Sequence, residues 1–286
     1  MVLDEPTWRR RRAAHEARVD PWLAPHLERR RRGEKHPVED FLFTYYANRP
    51  AALRRWHPGP GVVLAGASPL RGTRGYVEGR DGVRLDPAYV RDRADVVRRT
   101  RDLIVATRDR APSFGCLGLH EWAMVYRQSP DQIRHAAWPL RLGAAGTDAV
   151  VEGHRIRCTH FDAFRFFTDP ARSLNTVQPG PSDRVEHEQP GCLHATMDLY
   201  KHAFVLAPMT PSELVADCFE LARDVRTLDM RASPYDLTGL GYEPVRIETP
   251  EGKLEYAEAQ RGFATRAAPL RTRLIDLCER LLSGAT

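Results

Sequence analysis

The chain has 286 residues, of which 42% are hydrophobic and 28% charged, and its formal net charge is +5. That length can bury a sizeable core, and the composition is typical of a folded globular protein. No run of about 18 apolar residues occurs, which excludes a membrane-spanning helix. Five scattered cysteines do not suit a disulfide framework, and the first residues lack the apolar region of a secretory signal, so we expect a cytoplasmic location.

Residues 1–35 are expected to form a basic, helical N-terminal arm. The prolines in this segment predict two short helices, broken at Pro21 and Pro25. Two runs of four arginines supply the charge, and arginine suits bidentate contact with phosphate. We expect these runs to bind double-stranded DNA, with a solvated basic surface as the alternative. The arginines are Arg9, Arg10, Arg11, Arg12, Arg29, Arg30, Arg31 and Arg32.

Residues 36–286 are expected to form the main domain, which the pattern predicts to be largely helical. Apolar residues at helical spacing predict helices over residues 86–111 and 214–228. Thr249 followed by Pro250 predicts the start of a long C-terminal helix.

Short strands are expected at a few apolar positions, and one pair of them is expected to form a hairpin that turns near Gly153. The positions are Val62, Val150, Ile156 and Val245. The expected fold class is therefore mainly α with a few short β-strands, in a single compact globular domain, and an α+β fold is the alternative.

Three short segments in the middle of the chain place a histidine before an acidic residue and an aromatic run. Each could start a helix, and helix N-termini expose N–H groups that favour anions. If the segments converge, their polar ends form one pocket in which a carboxylate acts as a general base or stabilises a cation. As three unrelated helix starts, the same histidines would be hydrogen-bonded core residues. The candidate catalytic residues are His120, Glu121, His160, Asp162, His194 and Asp198.

A cysteine precedes each of these histidines closely. Cys116 lies four residues before its histidine, whereas Cys158 and Cys192 each lie two residues before theirs. Thiolate and imidazole both bind zinc, but near-pairs of this kind arise by chance and none matches a standard metal-binding motif. We therefore predict no metal and no other cofactor, with a divalent metal such as zinc or iron as the alternative.

Several common catalytic motifs are missing from the sequence. It contains no P-loop, no G-x-G-x-x-G, no G-x-S-x-G and no H-E-x-x-H. Nucleoside triphosphate hydrolysis, Rossmann-type dinucleotide binding and the common serine hydrolase mechanism therefore lose support.

Five segments carry a resemblance to a known protein family. They are HPVEDFLFTYYANRPAALRRWHPGPGVVLAGA from His36, GLHEWAMVYRQ from Gly118, GTDAVVEGHRIRCTHFDAFRFFTDPAR from Gly146, EQPGCLHATMDLYKHAF from Glu188 and DMRASPYDLTGLGYEPVRIETPEGKLEY from Asp229. Together they resemble a family of actinobacterial proteins commonly labelled 3-methyladenine DNA glycosylase. The resemblance extends over nearly the whole chain.

Membership of that family implies base-excision repair, in which the enzyme hydrolyses the N-glycosidic bond of alkylated purines such as 3-methyladenine. Such an enzyme holds a flipped-out cationic base between aromatic rings and places a carboxylate beside the sugar. Glu121 or Asp162 would supply the carboxylate, and the two arginine runs would hold the DNA phosphates. The stacking rings would be Trp122, Tyr126, Tyr45 and Tyr46.

Three functions are consistent with these residues. The first is a DNA glycosylase, and hence a hydrolase, that needs neither a metal nor an obligate protein partner. The second is an enzyme that acts on a small molecule through the His, carboxylate and aromatic pocket, with or without a metal, so that the glycosylase label is misassigned. The third is a non-catalytic nucleic-acid-binding protein in which the aromatic residues are core.

Overall fold

The computed structural model describes residues 1–129, 132–133 and 137–284. Helices account for 56% of the residues and strands for 6%, which confirms the predicted mainly α fold with a few short strands. The chain forms two compact units, each assembled from segments that are distant in sequence. Unit 1 comprises residues 1–105, 198–222 and the C-terminal segment from Pro269, and unit 2 comprises residues 106–197 and 223–268.

Long helices alternate with short helical turns along the chain. Up to residue 109 the elements are β1 (Val2–Leu3), α1 (Glu5–Arg32), α2 (Phe41–Thr44), α3 (Pro50–Arg54), β2 (Val63–Leu64), β3 (Tyr76–Gly79), β4 (Gly82–Leu85), α4 (Pro87–Asp92) and α5 (Ala94–Asp109). After residue 109 they are α6 (Leu119–Ala123), α7 (Gly143–Glu152), α8 (Phe161–Phe164), α9 (Asp169–Arg172), α10 (Arg184–His187), α11 (Leu193–Val205), α12 (Ser212–Arg231), a 3-10 turn (Thr238–Leu240) and α13 (Pro250–Leu282).

The N-terminal arm is one continuous helix, α1, so the predicted break at Pro21 and Pro25 is wrong. Both prolines lie inside the helix on its exposed side. The opposite side buries Trp8, Val19 and Leu23 in unit 1, and this packing compensates for the backbone hydrogen bonds that the prolines remove. The ends of the helix follow local rules: the Asp4 side chain accepts from the backbone N–H of Thr7 at 2.9 Å, and Gly33 closes the helix in the left-handed region.

Unit 1 contains a small four-stranded sheet in the order β1-β2-β4-β3. β1 pairs in parallel with β2, with Val2 opposite Val63, and the other neighbours are antiparallel. The predicted strand near Val62 is confirmed by β2. The indole N–H of Trp8 donates to the carbonyl of Ala65 at 3.0 Å, which ties α1 to the residue after β2.

Unit 2 departs from the prediction at residues 143–152. A hairpin and a strand near Val150 were expected there, but the segment is helix α7 and both predictions are wrong. The helix buries Val150 and Val151 side by side, and the amide of Gly153 donates to the carbonyl of Ala149 at 2.9 Å. Of the two other expected strands, Ile156 forms an isolated parallel bridge with Asn175, and Val245 lies outside the described strands.

The predicted helices elsewhere are largely confirmed. The helix expected over residues 86–111 is present as α4 and α5, which are separated at Arg93, and the helix expected over residues 214–228 is α12. The C-terminal helix begins at Pro250 as predicted, and the hydroxyl of Thr249 accepts from the amide of Gly252 at 3.1 Å.

Gly252, in the first turn of α13, is expected to tolerate no side chain. A Cβ at this position would overlap the backbone carbonyl of Arg246, which can move only with its chain. We expect Gly252→Ala to lower the free energy of unfolding by about 2–3 kcal/mol. Gly262, in the same helix, has open space around the Cβ position, so Gly262→Ala is the matched control and should stabilise by about 1 kcal/mol. Urea unfolding of both variants checks this, and equal effects would contradict it.

Candidate functional site

The three histidine-led segments converge in unit 2. His120 lies in the first turn of α6, His194 in the first turn of α11, and His160 immediately before α8. The ring centroids of His120 and His194 are 4.4 Å apart, and those of His160 and His194 are 5.3 Å apart. No more than 7% of any of the three residues is exposed. The histidines therefore form one buried group rather than three separate core positions.

His120 has a neighbour at each ring nitrogen. Nε2 lies 2.8 Å from Oδ1 of Asp229, and Nδ1 lies 3.8 Å from Sγ of Cys116. Burial by itself would lower the pKa of His120, but the Asp229 carboxylate and the Cys116 thiol outweigh burial and raise this pKa well above its usual value. His120 is therefore an imidazolium paired with the Asp229 carboxylate.

Arg226 connects Asp229 to Glu121. Its Nη1 donates to Oδ2 of Asp229 at 2.8 Å and to Oε1 of Glu121 at 2.7 Å. Burial acts to raise the pKa of Asp229, but His120 and Arg226 lower it more, and the pKa lies below its usual value. Two cations and two carboxylates thus neutralise one another away from water. We call these four residues, His120, Glu121, Arg226 and Asp229, the charge network.

The sequence-based candidates include neither Arg226 nor Asp229. Both lie on α12, three residues apart, next to the buried apolar positions Val225 and Leu228. An arginine and an aspartate at buried positions of one helix are a signal for a paired polar site, because charged groups are rarely buried without partners. Only the fold brings that pair to the histidines.

Three side chains are placed to bind a metal ion. The ligand atoms of His120, His194 and Asp229 all lie within 4.8 Å of one another, and all three residues are buried. Although His120 Nε2 and Asp229 Oδ1 are only 2.8 Å apart, neither atom has a hydrogen-bond partner among the described residues. A cation between them would satisfy both atoms. Two imidazoles and a carboxylate are a ligand set that proteins use for catalytic zinc and for non-haem iron.

The carboxylate next to His160 is not the one its sequence suggests. His160 Nε2 lies 3.4 Å from Oε1 of Glu188, which is itself buried and also receives a hydrogen bond from Arg184 Nε at 2.5 Å. Asp162, the acid nearest in sequence, instead lies 3.5 Å from Nε of Arg165 on the more exposed side of α8. The carboxylate that His160 contacts is therefore that of Glu188 and not that of Asp162.

A small cavity adjoins the histidines. It has room for about one water molecule. The lining residues are Ser113, Cys116, His120, Arg157, Cys158, Thr159, Gln189, Cys192, Leu193, His194, Tyr256 and Gln260. Burial raises the pKa of the Cys158 and Cys192 thiols, so both are protonated near neutral pH.

The aromatic residues expected to stack on a base occupy other positions. Trp122 is completely buried, and its indole N–H donates to the carbonyl of Ala232 at 2.8 Å. The hydroxyl of Tyr126 donates to Oε1 of Glu152 at 2.8 Å. Neither ring lines the cavity described above, and Trp122 packs as a core residue of unit 2.

Tyr45, Tyr46 and Asp198 belong to unit 1. The two tyrosine rings have centroids 5.0 Å apart and meet edge to face. The hydroxyl of Tyr46 donates to Oδ1 of Asp198 at 2.9 Å, and Lys201 lies 3.5 Å from the other carboxylate oxygen. In unit 1, therefore, Asp198 is engaged by a tyrosine and a lysine.

Six of the eight arginines in the two runs form ion pairs within unit 1. The pairs are Arg9 with Glu5, Arg11 with Glu213, Arg12 with Glu16, Arg29 with Glu39 and Asp40, and Arg31 and Arg32 with Glu28. Arg10 donates to the hydroxyl of Thr7 at 3.1 Å, and Arg30 is exposed. The pairs of Arg11 and Arg29 join α1 to other parts of unit 1, so these two arginines also have a structural role.

A comparison with protein-family models, curated protein sequences and solved structures finds no match for this chain. Within the described residues, no helix combines the length and the apolar character that crossing a membrane requires.

Proposed function

We propose that this protein is a metal-dependent enzyme that acts on a small molecule, with the metal bound in unit 2 by His120, His194 and Asp229. The observation that carries the proposal is the convergence of three buried ligand atoms within 4.8 Å of one another. Two of those atoms, His120 Nε2 and Asp229 Oδ1, lie 2.8 Å apart as an ion pair but without hydrogen-bond geometry. A cation bound by both would give each atom a directed bond.

The surroundings of the three ligands suit a catalytic metal rather than a structural one. Three protein ligands leave coordination positions open for water or substrate, whereas structural sites are closed by four. The cavity beside His120 and His194 provides space for such a ligand. Arg226 holds the second oxygen of Asp229, as hydrogen-bonding partners of metal-binding carboxylates do.

Metal content is the direct test. We expect protein purified without chelators to carry about one transition-metal ion per chain, measured by inductively coupled plasma mass spectrometry. His194→Ala should lose that metal. His187→Ala is the matched control, because His187 lies on the short helix α10 and pairs with Asp183 at 3.5 Å. Sub-stoichiometric metal in the wild type, even after anaerobic loading with Fe(II) or Zn(II), would contradict the proposal.

A second candidate function is the excision of alkylated purines from DNA, which the family resemblance implies. The observation that favours it is the charge of α1. This helix contains nine arginines and four acidic residues, so its net charge is +5, the same as that of the whole chain. A helix that carries the full net charge of the protein suits contact with a phosphate backbone.

For this candidate we expect replacing Arg30, Arg31 and Arg32 together by glutamine to weaken DNA binding. The slope of log affinity against log salt should fall by about 0.9 for each phosphate that the helix no longer neutralises. Arg98→Gln, at an exposed position of α5, is the control. Release of 3-methyladenine from methylated duplex DNA is measured on the same preparations. Binding without release would favour a non-catalytic nucleic-acid-binding protein. Absence of both binding and release would rule out the two DNA functions.

A further inference from the structure

The cavity beside His120 and His194 contains two polar groups with unused hydrogen-bonding capacity. The Tyr256 hydroxyl has no acceptor for its proton, and Oε1 of Gln260 has no donor, among the described residues. Both side chains line the cavity, and at most 1% of either residue is exposed. Nε2 of Gln260 donates to the carbonyl of Gly191 at 2.6 Å, which fixes the orientation of the amide and leaves Oε1 as the acceptor.

One water molecule in the cavity would satisfy both groups. It would accept a hydrogen bond from the Tyr256 hydroxyl and donate one to Oε1 of Gln260, and the cavity has room for about one such molecule. The cavity is also lined by His120 and His194, two of the three metal ligands proposed above. The same water therefore lies next to two of the three proposed metal ligands.

The lining of the cavity does not favour hydrolysis. A hydrolytic metal centre commonly uses a nearby carboxylate as the general base for its bound water. Among the described residues, no aspartate or glutamate lines this cavity. Glu121 is held by Arg226 at 2.7 Å, and Asp229 serves as a metal ligand in the proposed site. The lining therefore points to exchange of the bound water for another ligand rather than to its deprotonation.

The three ligands are compatible with zinc or with Fe(II). The lack of a carboxylate base among the described residues of the lining favours Fe(II). Two histidines and one carboxylate with open octahedral positions are the ligand set of non-haem Fe(II).

On the basis of the metal site proposed above, we propose that the cavity is the exchangeable ligand position of an Fe(II) centre. A single water, hydrogen-bonded to Tyr256 and Gln260, fills it at rest, and a diatomic ligand of the size of dioxygen displaces that water. The exchange breaks the Fe–water bond and forms one Fe–ligand bond, and any electron density that moves to the ligand comes from the iron, so no external oxidant or reductant is needed. The Tyr256 hydroxyl then donates to the incoming ligand and positions it.

Nitric oxide serves as the probe for this position, because it is diatomic and gives Fe(II) a characteristic paramagnetic signal. Metal-free protein is loaded with Fe(II) under anaerobic conditions, titrated with nitric oxide and followed by electron paramagnetic resonance and absorption. We expect one nitrosyl per bound iron. Tyr256→Phe should bind iron as the wild type does but nitric oxide roughly tenfold more weakly, since it cannot donate a hydrogen bond to the ligand. Tyr242→Phe, which lies outside the cavity lining, is the matched control.

The outcomes separate this inference from the proposed function. Iron that binds stoichiometrically but forms no nitrosyl overturns the open position while leaving the metal site intact. A nitrosyl that is equally stable in Tyr256→Phe and Tyr242→Phe overturns the role of Tyr256. Absence of iron binding, measured first by metal analysis, overturns the inference, and absence of both iron and zinc binding overturns the metal site as well. Metal-free protein treated with nitric oxide should give no nitrosyl signal, which shows that the signal requires iron.

Discussion

Replacing Asp229 by asparagine is expected to weaken the binding of Fe(II) or Zn(II) about 100-fold or more. Removing a residue that only supports a metal ligand already costs about 10–100-fold, and Asp229 is the single negatively charged ligand of the proposed site. Its carboxylate supplies both the charge that attracts the cation and the oxygen that lies 2.8 Å from His120 Nε2. A neutral amide supplies no such charge.

Competition against a chromophoric chelator measures this affinity. Asp224→Asn is the matched control, because Asp224 lies on the same helix but is partly exposed and pairs with Arg266. Its metal affinity should equal that of the wild type. Equal affinities for Asp229→Asn and Asp224→Asn would exclude Asp229 as a ligand. Circular dichroism of the metal-free variants establishes that both are folded before the affinities are compared.

Elements of the fold could be predicted from sequence where local interactions determine them. The start of α13 is such a case, since the hydroxyl of Thr249 accepts the amide of Gly252 and Pro250 needs no hydrogen-bond partner for its nitrogen. The apolar spacing that predicted α12 also reports a local property, namely which face of one helix is buried.

The incorrect predictions concern segments in which packing overrides local preference. Pro21 and Pro25 should interrupt a helix, yet α1 continues through both because its other face buries Trp8 and Val19 in unit 1. Residues 143–152 contain adjacent valines that suit a strand, but a helix buries both. In each segment, packing against other parts of the chain determines the secondary structure. A local sequence pattern holds no information about that packing.

The sequence predicted part of the candidate site, and helix geometry explains why it missed the partner of His120. The sequence pattern marked the three histidines as a set, and they do meet. It also paired His120 with Glu121, but adjacent helical residues point about 100° apart and cannot share a partner easily. His120 consequently faces Asp229, while Glu121 faces Arg226. The partners come from α12, about a hundred residues later, and only the fold specifies that contact.

Arg226 is expected to be the most sensitive position of the charge network in the metal-free protein. Arg226→Met leaves Glu121 and Asp229 buried without their shared guanidinium, which donates to both at 2.7 and 2.8 Å. Removing one partner from a buried ion pair costs about 3–5 kcal/mol of unfolding free energy. Urea unfolding measures the loss. Arg223→Met, at a partly exposed position on the same helix, is the control and should cost less than about 1 kcal/mol.

The same variant also tests how the charge network and the metal site are coupled. Adding Glu121→Gln to Arg226→Met should restore part of the missing stability, because one of the two unpaired carboxylates then becomes neutral. Bound metal should stabilise Arg226→Met, since its positive charge offsets that of the missing guanidinium next to Asp229. If Arg226→Met loses no more stability than Arg223→Met, the buried network does not have the energetic role derived from its geometry. If metal stabilises the wild type but not Arg226→Met, the guanidinium is required to hold Asp229 in position for the metal.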